Sequence, residues 1–267
     1  MSAYSRYTRK FDTILAMPLS LYLLLVIALL ASVFIKVTIP NIRVAFSDPA
    51  LLYAIRLSII TSLISTALCA VVAVPAGYVL SRRRFPGYLL VDTIVDMPIV
   101  LPPLVMGLCL LIFFNTSIGR WLDRGIVPSG IFIYQPAGIV LCQFATGCAY
   151  AIRVVKAGFD ALDKRYEQVA MTLGARPHQV YFKIIMPNVW PSVVAGVVIT
   201  WARIFGLFGP ILLVAGTMRF RTEIMPTTIF LETSIGRIEV ALVIGGAMIL
   251  ISLATLIIFK KLGGKAL

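Results

Sequence analysis

The chain has 267 residues, of which 60% are apolar and 13% charged, where soluble domains average ~45–50% and ~25%. That balance excludes a soluble enzyme, a disordered tail and a collagen-like chain, and it assigns the surplus apolar surface to lipid. The formal charge of +13 is a nucleic-acid footprint only on a soluble chain; on a membrane chain the position of each basic residue decides its meaning.

A hydrocarbon layer of ~30 Å takes ~20 helical residues. Runs at about 17–39, 51–80, 94–114, 133–152, 189–216 and 239–259 qualify, joined by polar connections at 40–50, 81–93, 115–132, 153–188 and 217–238. The first run is longer than the ~7–15 apolar residues of a signal peptide. It leads into Val37-Thr38-Ile39-Pro40 with no small-residue cleavage site, so a retained first span is expected. In the third run Pro102 and Pro103 cannot donate to the helix ladder, which predicts a kink or interruption there. Freed carbonyls in a membrane need cover from protein or water; the bend lines a pathway or merely fits its neighbours.

Basic residues alternate between connections. Arg6, Arg9 and Lys10, then Arg82 to Arg84, then six between Arg153 and Lys183, then Lys260, Lys261 and Lys265, total 15. The intervening connections hold 6, nearly matched by Asp48, Asp123, Glu223, Glu232 and Glu239. Six spans with both termini in the cytoplasm put the larger set inside. The charge then needs no nucleic acid.

Chemistry-bearing sets are missing from the sequence. Cys69, Cys109, Cys142 and Cys148 lie in apolar runs and form no C-x-x-C, and His178 is the single histidine. No metal site or nucleophilic triad is expected. No G-x-x-x-x-G-K-[ST] loop occurs, so ATP has no phosphate cradle on this chain.

The connection from Arg153 to Asn188 reads as two short helices. Tyr166, Ala170 and Leu173 share one face of the first. Gly174 follows the last periodic residue, where a left-handed cap needs no Cβ. Pro177 suits the first turn of a second helix, which carries Val180, Tyr181, Ile184 and Ile185 and is expected to stop at Pro187. Such a helix–Gly–helix elbow can dock into a groove on a partner or rest on lipid headgroups.

Within the elbow, Gln168-Val169-Ala170, then Gly174, then Ile184-x-Met186-Pro187 resembles the signature of permease subunits of ABC importers. That pattern is Glu-Ala-Ala, three residues, Gly, nine residues, Ile-x-Leu-Pro. The spacing matches; Gln168, Val169 and Met186 depart in identity, and Glu167 supplies an acid one position early. The stretch from Asp96 to Gly107 is similar to the third span of molybdate, tungstate and sulfate permeases, and Arg203 to Gly209 to their fifth. An acid is usual where Leu207 stands.

The resemblance implies an all-α integral membrane protein with the type I importer permease fold. A cytoplasmic tail at 1–16 precedes a single permease domain at 17–267, with its core at about 51–260 and its coupling elbow at about 163–187. The last apolar run is followed only by a short tail, so no C-terminal regulatory domain is expected. The implied partners are a second permease copy or paralogue, two ATPase subunits carrying ATP and Mg, an extracytoplasmic solute-binding protein, and the bilayer of a prokaryotic inner membrane. Glu167, Gln168, Ala170, Gly174 and Pro187 would serve ATPase coupling, the first two by polar contacts and Ala170 as a small packing face. The solute implied is an inorganic oxyanion; polyamine, iron and thiamine permeases share the elbow.

Arg203 lies mid-run, where an unpaired charge costs roughly 2.5–3.5 kcal/mol. The bundle interior is therefore expected to hold it, with Asp96 as candidate partner, either on the pathway or between helices. Gly206 and Gly209 permit close packing beside it. An ion-coupled secondary transporter would be expected to show internal repeats or several mid-membrane carboxylates, and neither is evident.

Overall fold

The computed structural model describes residues 3–125 and 127–263, with side-chain environments for 15–125 and 127–257. Arg6, Arg9, Lys10, Lys260, Lys261 and Lys265, on which the terminal orientation rested, lie outside the described side chains.

Helices follow one another with short breaks: α1 (Ala3–Lys36), α2 (Ile39–Ser47), α3 (Pro49–Arg82), α4 (Tyr88–Val100), α5 (Pro103–Asn115), α6 (Ser117–Arg124), α7 (Pro136–Ala161), α8 (Arg165–Thr172), α9 (Pro177–Val180), a π turn (Tyr181–Ile185), α10 (Met186–Phe205), α11 (Gly209–Val214), α12 (Met225–Ser234) and α13 (Ile238–Gly263). Proline repeatedly opens them, because its missing N–H is one the first helical turn leaves unpaired. At α3, Asp48 caps the helix by accepting from Ala50 N–H at 2.9 Å, with Pro49 in first place.

Five helical segments are long and apolar enough to cross a membrane: Leu15–Lys36, Pro49–Arg82, Pro136–Ala161, Pro177–Phe205 and Ile238–Ile257. The pair α4–α5 makes a sixth if counted as one span, bent by 112° at Leu101-Pro102. The predicted interruption at Pro102 and Pro103 is therefore a sharp corner, with Pro103 opening the second helix. This is an all-α, multi-pass membrane protein.

The core forms where α3, α7 and α10 meet, around Cys69, Ala73, Ile152, Val155, Phe159, Val189 and Val193. Small side chains let these helices close up: a Cβ on Gly147 of α7 would sit 2.6 Å from Ile204 Cγ2 of α10. Hydroxyls then fasten the seam, since hydrocarbon offers them no other partner. Trp201 Nε1 donates to Ser62 at 3.1 Å. Ser65 donates to Gln143 Oε1 at 2.9 Å, and Met225 N–H donates to Ser58 at 2.8 Å.

Several expected boundaries are corrected. The fourth span runs on to Ala161, so Arg153 and Lys156 belong to a helix rather than a loop. The run 189–216 is two helices: α10 ends at Phe205, and after Gly206 to Phe208 the short α11 lies against α5, with the Cβ position of Gly107 only 2.5 Å from Pro210 Cα. Pro187 does not stop the second elbow helix. The π turn ahead of it sends Met186 N–H back five residues to Tyr181 O, which opens the turn where a proline ring would otherwise strike the preceding carbonyl. The connections are not plain loops either: 40–50 holds α2, and 217–238 holds α12, which is buried at Met225, Pro226, Thr227, Thr228 and Glu232.

Candidate functional site

The elbow projects where α3 and α7 end. Its turn closes as a Schellman motif: Ala175 N–H donates to Ala170 O at 3.0 Å and Gly174 N–H to Met171 O at 3.0 Å. Gly174 takes φ +86°, the left-handed backbone its place after a helical face demands, and nothing lies within 4 Å of its Cβ position. The second helix starts with Gln179 Oε1 accepting from Arg176 N–H at 2.9 Å.

Outward from this turn stand Tyr166, Val169, Met171 and Leu173, the last 83% exposed, with Phe182 on the following helix. Gln168 and Pro187 are also exposed. Glu167 and Ala170 are not. Ala170 is buried against the core, and Glu167 turns inward onto the Arg82 guanidinium, the two side chains being 15% and 5% exposed. Arg82 also donates through Nη2 to Leu162 O at 2.9 Å, so one guanidinium grips the entry and the first helix of the elbow. Ser81 adds a bond to Asp160 at 2.5 Å. Tyr78 meets Phe159 and Tyr181 edge-on at 5.5 and 4.9 Å between centroids, joining α3, α7 and the π turn in one aromatic stack.

A second constellation runs along the exposed side of α7. Arg203, at the end of α10, is exposed and not interior; its guanidinium lies 5.0 Å from the ring centroid of Tyr150, near the middle of α7. Among the described residues it makes no ion pair within 4 Å. Asp96 is held instead by Arg153, through two contacts to the guanidinium. Asp92 bridges Arg153 at 3.3 Å and Lys156 at 2.9 Å. Gly206 is open beside Arg203, and Gly209 packs on Leu104 of α5. Pro102 and Pro103 form the corner at the end of α4. Asp92 and Asp96 at i, i+4, and Arg153 and Lys156 at i, i+3, each share one helix face. That spacing was the available sequence signal for this cluster, but only the fold supplies the pairing.

At the opposite end, Glu223 and Glu232 are buried around Arg219, which reaches Glu232 at 2.6 Å and Glu223 at 3.9 Å. Burial pushes the Glu223 carboxyl above the usual range, with Glu232 and Asp48 adding to it and Thr228 and Arg219 opposing. Among the described residues no group of three His, Cys, Asp or Glu is placed to hold a metal.

Comparison with known proteins locates this architecture. The chain is 38% identical over 170 residues to the molybdate/tungstate transport system permease protein WtpB of Thermococcus kodakarensis, covering 63% of this chain and 62% of that one. It is 34% identical over 206 residues to the molybdenum transport system permease protein ModB of Mycobacterium tuberculosis, covering 76% of each. In fold it superposes on a bacterial ABC transporter involved in import of the polysaccharide alginate, with a TM-score of 0.74 at 16% identity over 98% of this chain and 96% of that one. Residues 71–265 match the binding-protein-dependent transport system inner membrane component family, which spans the elbow, the α4–α7 seam and α10, and to that family this chain belongs.

Proposed function

We propose that this chain is the pore subunit of an ATP-driven importer for a tetrahedral inorganic oxyanion of the molybdate, tungstate and sulfate class. The observation that carries the solute class is Arg203: a cation in the last turn of α10, exposed on the single chain, its guanidinium over Tyr150 at the level of the middle of α7 and, among the described residues, with no carboxylate within 4 Å. Lipid would make that position costly, so it faces a water-filled pathway or a second permease chain, and its charge selects anions. The oxyanion permeases among the relatives support the same class.

The chain itself performs no catalysis. ATP and Mg would reside on two ATPase subunits seated on the two elbows of a permease pair, with Tyr166, Val169, Met171 and Leu173 as the apolar docking row and Gln168 at its edge. In this reading both termini face the cytoplasm, six spans cross the prokaryotic inner membrane, and a solute-binding protein docks on the outer side. ATPase closure would move the elbows together. Arg82 and the Phe159–Tyr78–Tyr181 stack then carry the displacement into α3 and α7, because packed helices shift as rigid units.

Docking is tested by placing a cysteine at Leu173 and attempting a short cross-link to a co-expressed candidate ABC-type ATPase subunit. A cross-link to the ATPase, lost when it is omitted, is expected. Labelling of Leu173→Cys by a lipid-soluble thiol reagent only, with no ATPase adduct, would make the elbow a headgroup-resting helix.

A further inference from the structure

The α4–α7 seam is laced with ion pairs. None of the residues of α4 is buried. Only Tyr88 and Val95 pack against the core, as partly buried side chains; the specific ties are polar: Asp96 to Arg153, Asp92 to Arg153 and Lys156, and the Tyr88 hydroxyl donating to Leu80 O at 2.9 Å. The seam is also open, with the Arg153 and Asp96 side chains each 31% exposed. Its cations continue the line that starts at Arg203. Tyr150, Arg153 and Lys156 follow at three-residue steps on α7, each the neighbour of the next with a rise of about 4.5 Å per step, and Arg203 rests on the first of them.

We propose that Arg153 and Lys156 form a second oxyanion site, below Arg203, which Asp96 and Asp92 occupy as built-in counter-anions until the solute displaces them. This rests on the oxyanion reading above. A guanidinium fork accepts a carboxylate and a tetrahedral oxyanion in the same two-pronged way, so the solute and Asp96 compete for identical donors. A row of three uncompensated cations would trap a divalent anion. Two carboxylates on a helix with no buried residue turn the lower two positions into exchangeable ones, since α4 can swing with the displaced acids about the corner at Pro102.

The test is equilibrium dialysis of the purified full-length chain against radiolabelled sulfate, without ATPase or binding protein. Asp96→Asn leaves Arg153 under-compensated and is expected to raise sulfate retention at least tenfold over wild type. Adding Arg153→Gln to Asp96→Asn is expected to abolish the gain. Asp92→Asn, which frees Lys156, is expected to act in the same direction and serves if Asp96→Asn fails to fold. Phosphatidylglycerol added to the lipid-depleted sample should leave sulfate retention unchanged; full displacement would assign the cations to lipid phosphate and overturn the proposal. Equal retention by wild type and both acid variants would reduce the cluster to a structural ion-pair network. If the wild-type complex imports an oxyanion and these variants gain none, the second site alone fails; if the complex imports no oxyanion, the function proposed above fails first.

Discussion

Arg82, the last residue of α3, and Glu167, in the first turn of α8, form an almost buried ion pair that fixes the elbow to the helix bundle. The family motif places its acid one residue later, where this chain has Gln168 on the exposed side. The acid is therefore spent on internal bracing rather than on the outer surface. Breaking such a pair by removing one partner strands the other charge, which costs about 3–5 kcal/mol when burial is complete. Arg82→Met is expected to loosen the elbow more than Glu167→Gln, because it also deprives Leu162 O of its donor. Trypsin cleavage at Lys164 and Arg165 in the folded chain should accelerate at least tenfold in Arg82→Met. The double variant should be cleaved more slowly than additivity of the two single effects allows. Unchanged cleavage in both single variants would remove the brace from the account.

Gly174 offers a cleaner separation of folding from coupling. Nothing contacts its Cβ position, so a substitution is penalised by backbone conformation alone. A β-branched residue at φ +86° costs on the order of 1–2 kcal/mol, whereas Asn tolerates that region. Gly174→Val is expected to insert at normal levels yet lose most ATPase co-purification and uptake, and Gly174→Asn to keep most of both. Equal behaviour of the two variants would show that the left-handed turn is not what the partner reads.

The buried acid at the other end gives a pH prediction. Burial raises the Glu223 carboxyl above its unfolded value, so the fold binds that proton more tightly than the unfolded chain does. Its favourable contribution is complete below the unfolded value of about 4.3 and is lost as pH rises through the folded value. Glu223→Gln removes the penalty of holding a charge there. The variant should therefore melt about 2 °C above wild type at about pH 7.5, with the gap closing toward about pH 5. A gap that widens on acidification would show that Arg219 already holds Glu223 ionised.

Arg203 is predicted to act through charge. Arg203→Met keeps much of the side chain's length but removes the cation over Tyr150. The complex should assemble with its ATPase, and oxyanion uptake should fall at least tenfold, with Arg203→Lys intermediate because an ammonium lacks the planar fork. Wild-type uptake by Arg203→Met would leave Arg203 a packing residue.

The sequence made the long spans and the elbow readable because their signals are local. Apolar runs bounded by Pro and Gly marked α3 and α7, and Gly174 with Pro177 marked the turn. It was silent where a feature depends on another segment. Pro187 reads as a helix stop until the π turn before it is seen to absorb the ring. The polar 217–238 connection is buried because α3 offers Ser58 to Met225 N–H, a partner 167 residues away. Ser58, Ser62 and Ser65 do share a helical face at i, i+4 and i+7, which was legible as a polar stripe, though not what it would bind. A mid-run Arg reads as interior, on the pathway or between helices; its exposure on the single chain fits the pathway side, since an Arg exposed at that depth makes sense only beside water or a second chain.

The central claim, an oxyanion pore driven through the elbow by ATP, is tested most directly by uptake into proteoliposomes. They would contain this chain, its ATPase and its binding protein, with radiolabelled sulfate, molybdate or tungstate supplied on the binding-protein side. The account predicts accumulation that requires ATP on the elbow side, is competed by the other tetrahedral oxyanions and not by putrescine or thiamine, and collapses in Gly174→Val. Accumulation driven by a proton or sodium gradient without ATP, or ATP-driven accumulation of a cationic solute alone, would contradict it.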